Sequence, residues 1–110
     1  MDINRLFNID GKTALITGGS RGIGEMIAAG FLANGVKVYI TARKEAPLIE
    51  KAEELSEKFS GECIAIPCDL SNMEGIQKLA SDYLNHEDSL DILVNNAGAA
   101  WGEPYENFSE

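Results

Sequence analysis

The sequence predicts an α/β fold: a doubly wound, mostly parallel sheet in which strands and helices alternate along the whole chain. Three observations carry that prediction. Short apolar runs alternate with amphipathic stretches of ten or more residues, the pattern of parallel βαβ units. A glycine-rich turn, Gly18-Gly-Ser-Arg-Gly-Ile-Gly24, joins the first apolar run to the first amphipathic stretch. No repeat, linker or low-complexity segment interrupts the alternation.

Lys12 to Thr17 is the first strand, opened by the turn dipeptide Asp10-Gly11. Gly22 to Asn34 is the first helix. Its apolar residues Ile23, Ile27 and Phe31 recur every four positions, and Gly35 stands where a C-terminal cap belongs. Lys37 to Thr41 is the second strand. Pro47 suits the first turn of a second helix, whose apolar stripe is Leu48, Ala52, Leu55 and Phe59, with Gly61 beyond its end. Glu62 to Ile66 makes the third strand, stopped by Pro67. Ser71-Asn-Met-Glu74 reads as a capping box that starts a third helix. That helix carries Ile76, Leu79, Ala80, Tyr83 and Leu84 on one face, and Leu90 to Val94 is the fourth strand.

Right-handed crossovers restrict how such units can be wound. The natural solution is a Rossmann-like sheet in the order 3-2-1-4, with the first two helices on one face and the third on the other. Ligands in such sheets bind at the carboxyl ends of the strands, near strands 1 and 4, where the winding reverses.

Composition narrows the functions. A length of 110 residues suits one domain, 1–110, and 45% apolar residues suit a globular one. No apolar run is long enough to span a bilayer, and Met1 to Asp10 lacks the basic start and apolar stretch of a secretory signal. No membrane partner is expected, and the cytoplasm is the default compartment. The formal charge of −9 argues against a nucleic-acid partner. It also means that an anionic ligand can be held only by locally placed donors and cations. Cys63 and Cys68, five positions apart along one extended segment, face opposite ways at roughly 16 Å, too far to bridge. They read as small buried thiols, and the single histidine, His86, as a surface imidazole without ligand spacing around it; no metal site is expected.

The glycine turn has a physical reading. Gly18 can turn the chain sharply and bring the backbone close to a ligand. Gly22 and Gly24 remove Cβ atoms where helix, sheet and pyrophosphate would crowd. The free N–H groups at the helix start then face a phosphate, with Ser20 as a hydroxyl donor and Arg21 as a cation. The spacing is G-x-x-x-G-x-G rather than G-x-G-x-x-G. Thr17-Gly-x-x-x-Gly-x-Gly24 resembles the cofactor motif of the short, single-domain branch of the short-chain dehydrogenase/reductase family. Asn95-Asn-Ala-Gly98, directly after the fourth strand, resembles the family's second mark, and the resemblance covers essentially the whole chain. It implies that Asn95, Asn96, Ala97 and Gly98 line the cofactor pocket and steady the sheet. It implies likewise that Asp69 and Leu70 contact adenine and that Ile23 belongs to the glycine loop.

The end of the second strand distinguishes the dinucleotides. An acid there accepts from the ribose 2′-hydroxyl of NAD and repels a 2′-phosphate. Here Ala42 stands where an NAD-preferring relative would usually have Asp, and Arg43 follows, with Lys44 as a weaker helper. A guanidinium pairs well with phosphate, and Arg21 can approach the same group. The expected cofactor is NADP(H), preferred over NAD(H).

The resemblance further implies an NADP-dependent oxidoreductase acting on CH–OH/C=O groups, with a catalytic Ser, a Tyr-x-x-x-Lys pair and a relay Asn. No Tyr-x-x-x-Lys occurs: Tyr39, Tyr83 and Tyr105 are followed at +4 by Arg43, Glu87 and Ser109. In the family those groups lie after the point where this chain stops. The expectation is therefore an N-terminal cofactor-binding part, truncated before the catalytic segment, with no catalytic residue of its own and inactive alone. The glycine loop, Met26-Ile-Ala and Asn96-Ala-Gly-Ala-Ala-Trp-Gly102 look most like the family's 3-oxoacyl reductases. The expected partners of the full-length protein are NADPH, a small-molecule carbonyl substrate and further copies of itself in a homo-oligomer. A sugar or polyol dehydrogenase of the same branch is the alternative enzyme. A non-catalytic dinucleotide-binding module, or the product of a decayed gene, is the alternative of another class.

Overall fold

The computed structural model describes residues 8–96, which form the expected sheet with strand order β3-β2-β1-β4, all neighbours parallel. In chain order the elements are β1 (Thr13–Thr17), α1 (Gly22–Ala33), β2 (Lys37–Thr41), α2 (Glu45–Phe59), β3 (Cys63–Ala65), α3 (Met73–Leu84) and β4 (Ile92–Asn95).

The two-residue period of the strands sorts their side chains between two cores. Ala14 and Ile16 of β1 and Val38 and Ile40 of β2 are completely buried under α1 and α2, with Ala28, Leu32, Leu48, Ala52 and Leu55 packed on them. Leu15 and Tyr39 point the other way, to Leu79 and Tyr83 of α3. Cys63 lies in the first core and Cys68 in the second, so the two thiols do face opposite ways. Burial pushes the Cys63 thiol up to about 12, which leaves it a protonated core group.

Four local expectations need correction. The core-facing stripe of α1 is Gly24, Ala28 and Leu32; Ile27 and Phe31 are only partly buried and Ile23 is exposed. Small residues serve because helix and sheet pack closely there. The cap of α3 is Asn72 rather than Ser71: the Asn72 Oδ1 accepts from Gly75 N–H at 2.7 Å. Ser71 instead donates its backbone N–H to Asp69 Oδ1 at 2.9 Å. Pro67 does not end the pairing of the third strand, because Ile66 N–H and Cys68 N–H on either side of it still donate to Ile40 and Ala42. Proline's missing N–H therefore falls on the open edge, where no ladder bond is lost. Finally, β4 starts two residues late. The Asp91 carboxylate takes the bond from Thr13 N–H at 2.9 Å that a strand carbonyl would otherwise accept.

The two sheet faces are covered unequally. Leu79 and Tyr83 are buried, but Ile76 and Leu84 of α3 are exposed, as is Leu93 of β4. With Leu15 and Leu90 they line an open apolar groove of about 560 Å³ between α3 and β4. Among the described residues no helix is long and apolar enough to cross a membrane.

Candidate functional site

The carboxyl ends of all four strands gather most of the candidate residues at one edge of the sheet. The glycine loop leaves β1 there, Asn95 and Asn96 end β4, Arg43 follows β2, and Asp69 and Leu70 follow β3. Ala97 and Gly98 lie outside the described residues.

Each loop glycine meets a steric demand. Gly18 and Gly22 have φ of +72° and +62°, where a side chain is strained. Gly24 has no room: a Cβ there would overlap the Gly18 carbonyl oxygen and stand 2.8 Å from Asn96 Nδ2. The loop can thus lie flat on the start of α1. That start has Arg21 as its N-cap, extended and with no side-chain hydrogen bond to the helix. A guanidinium cannot accept from N–H groups, so the first turn of α1 keeps its donors for another acceptor. The arrangement suits an anion. Ser20 is partly buried beside it, while Arg21 and Ile23 are exposed.

Thr17 opens the glycine motif, and only the fold gives it a role. Its hydroxyl accepts from Asn96 N–H at 2.8 Å and reaches Asn95 Oδ1 at 3.2 Å. Asn96 Nδ2 in turn donates to the Gly18 carbonyl at 3.3 Å. The ends of β1 and β4 are therefore tied to each other, and the glycine loop is held by an asparagine from 78 residues further along. A threonine at the last position of a strand that enters a glycine turn is the sequence signal for this clamp.

A second donor-rich corner lies beside the first. Helix α2 is capped by Lys44, again with no side-chain acceptor for its first N–H groups. Arg43, Lys44 and Arg21 form no ion pair among the described residues, although Lys37, Lys51 and Lys78 all do. Asp69 is close enough to feel Arg43. Hydrogen bonds from Ser71 hold the Asp69 carboxyl below its usual range, and the Arg43 charge adds a smaller pull. Beneath them Thr41 Oγ1 and Cys68 Sγ are hydrogen-bonded at 2.8 Å, joining the ends of β2 and β3 in the interior.

The described tyrosines are engaged elsewhere. Tyr39 donates to Glu87 at the amino end of the sheet, and burial, then Glu87, raises its hydroxyl to about 12. Tyr83 donates to the Ser89 carbonyl at 2.6 Å. Among the described residues no group of three His, Cys, Asp or Glu could hold a metal ion.

Comparison with known proteins gives one consistent result. The family model described as short chain dehydrogenase matches residues 12–110. The rhamnolipids biosynthesis 3-oxoacyl-[acyl-carrier-protein] reductase of Pseudomonas aeruginosa is 47% identical over 102 residues, covering 93% of this chain and 39% of that protein. The 11-beta-hydroxysteroid dehydrogenase-like 2 of Arabidopsis thaliana is 39% identical over 103 residues, covering 94% of this chain and 33% of that protein. Among solved structures, the Pseudomonas aeruginosa RhlG/NADP active-site complex superposes with a TM-score of 0.78 at 48% identity, covering 82% of this chain and 36% of that one. L-sorbose reductase from Gluconobacter frateurii, complexed with NADPH and L-sorbose, superposes at 0.81 with 37% identity, covering 90% of this chain and 38% of that one. The chain thus spans under two-fifths of the length of these relatives.

Proposed function

The chain belongs to the short-chain dehydrogenase/reductase family, and from that premise we propose that it binds NADP(H) at the carboxyl end of its sheet. It does so as the N-terminal part of an oxidoreductase that interconverts a carbonyl and an alcohol. The observation that carries this reading is the pair of helix N-termini without a side-chain acceptor, one flanked by Arg21 and the other by Arg43 and Lys44. A dinucleotide phosphate brings two anionic groups, the pyrophosphate and the 2′-phosphate, and the site offers two donor-rich corners for them.

In this reading Gly18, Ser20, Arg21, Gly22, Ile23 and Gly24 hold the pyrophosphate on α1. Arg43 pairs with the 2′-phosphate, helped by Lys44 and Arg21. Asp69 and Leu70 meet the adenine, and Asn95 to Gly98 line the pocket beside them. NADP(H), when bound, supplies the hydride chemistry. The residues of this chain bind and orient; none of its tyrosines has the lysine four positions on, so the proton-transferring groups are assigned outside residues 1–110. The 47% identity to a 3-oxoacyl reductase favours a 3-oxoacyl substrate. The likeness to L-sorbose reductase supports a sugar or polyol as the second reading.

Titration of the native protein with NADPH and with NADH, followed by nicotinamide fluorescence, tests the cofactor assignment. We expect NADPH to bind at least tenfold tighter, the effect of roughly one charge-assisted pairing. Equal affinities, or tighter NADH binding, overturn it.

A further inference from the structure

We propose that Gly75, in the first turn of α3, is a positioning residue for the adenine end of the cofactor: it lets the helix press directly against the Asp69 backbone and so fixes where the Asp69 carboxylate points. The inference rests on the cofactor reading above.

The contact is unusually close. A Cβ on Gly75 would overlap the Asp69 carbonyl oxygen and lie 2.7 Å from the Asp69 carbonyl carbon. The obstacle is backbone, so no side-chain rotation relieves it. Two hydrogen bonds hold the same turn together. Asn72 Oδ1 accepts from Gly75 N–H at 2.7 Å, and Asp69 Oδ1 accepts from Ser71 N–H at 2.9 Å. One carboxylate oxygen of Asp69 is thereby committed to the backbone. The Ser71 side chain bonds to the same carboxylate, which is exposed beside Arg43 and, as an ion with several lone pairs, can still accept from a further donor. An exocyclic amine is a donor that such a carboxylate can accept from. Alanine at position 75 cannot fit without moving Asp69 away from α3, which turns the carboxylate from its line. In the sequence Gly75 reads only as a poor helix former inside an amphipathic helix. Nothing there shows that it packs on a residue six positions earlier.

The test uses NADPH and its hypoxanthine analogue, in which a carbonyl replaces the adenine amine. The native protein should prefer NADPH by roughly tenfold, as for one hydrogen bond to a charged group. Asp69→Ala should reduce that preference to near unity. Gly75→Ala should do the same while circular dichroism and the melting temperature stay close to native, an effect that a merely structural glycine would not have. An unchanged preference in folded Gly75→Ala overturns the inference while leaving the Asp69 reading intact. A native protein that does not distinguish the two cofactors overturns the Asp69 reading itself, and the inference with it. If Gly75→Ala does not fold, Asn72→Ala takes its place: it removes the cap that holds the turn, and should lower the preference two- to fivefold. An unchanged preference there overturns the inference.

Discussion

The two ends of the sheet are built on opposite principles. At the amino end the polar groups satisfy one another. Lys37 pairs with Glu87 at 2.8 Å, Tyr39 donates to the same carboxylate, Asp91 accepts from Thr13 N–H, and Tyr83 donates to Ser89. At the carboxyl end donors outnumber acceptors. Two helices start without side-chain caps, and Arg21, Arg43 and Lys44 enter no ion pair among the described residues. Lys12 and Lys58 also enter no ion pair among the described residues, but only at the carboxyl edge do three cations, Arg21, Arg43 and Lys44, stand beside uncapped helix starts in a chain of net charge −9. The contrast separates groups that hold the fold from groups kept available for an anion. It can be attacked from either end.

The largest effect is expected from Gly24→Val. The β-branched side chain meets the Gly18 carbonyl and Asn96 Nδ2 and must displace the glycine loop from α1. NADPH affinity should fall by more than about 100-fold, beyond the roughly 2.7 kcal/mol that two decades represent, while circular dichroism still reports the sheet and helices. A folded variant with native affinity would show the loop to be only a turn. Arg43→Ala should come next. Loss of one charge-assisted pair costs roughly 1.5–3 kcal/mol, about 10- to 100-fold in NADPH affinity, with NADH nearly unchanged. Equal losses for both cofactors would remove Arg43 from the 2′-phosphate. In the same assay Ala42→Asp should shift preference toward NADH, since a carboxylate there repels the phosphate.

The two ends were not equally legible in the sequence. The carboxyl end announced itself because glycine spacing, a strand before it and a helix after it leave few physical alternatives. The amino end was invisible. Nothing local in Glu87, 50 residues beyond Lys37, marks it as that lysine's partner, and Tyr39 read simply as a residue within a strand. Strand order followed from alternation and handedness, whereas local boundaries moved by one or two residues wherever a side chain took over a backbone bond. Asp91 did so for β4 and Asn72 for α3. The α3 stripe was also read correctly as apolar, yet periodicity cannot say what covers it, and Ile76, Leu84 and Leu93 stand exposed around the groove. Asn96 shows the same limit within the site. Its place after β4 could be read, but its hydrogen bond to Gly18 required the fold.

The smallest expected effect comes from the satisfied end, and its pH dependence makes it informative. Glu87→Gln keeps the side-chain shape and an acceptor for Tyr39 but removes the charge that pairs with Lys37. The Glu87 carboxyl sits below the usual carboxylate range, first because Lys37 bonds to it and second because Tyr39 does. A carboxylate depressed in this way stabilises the fold at pH values above its unfolded pKa, and that contribution disappears as pH falls through the folded value. The pair is partly solvated, with Lys37 32% and Glu87 17% exposed, so its contribution at pH 7 should be about 1 kcal/mol or less. Urea midpoints should therefore show the native protein ahead of Glu87→Gln by this small margin between about pH 5 and 7, above the ordinary glutamate pKa of roughly 4.3. The margin should begin to shrink below about pH 4 and vanish only once the pH is below the lowered folded pKa. A margin that persists in acid would mean that the hydrogen bonding of the side chain to Tyr39 and Lys37, rather than its negative charge, separates the two proteins. NADPH affinity at pH 7 should be unchanged in this variant. A clear loss would mean that the two ends are coupled through β2, whose fully buried core residues Val38 and Ile40 connect Lys37 to the Thr41 and Arg43 corner, and that the division between fold-holding and ligand-holding groups is less strict than the hydrogen bonds suggest.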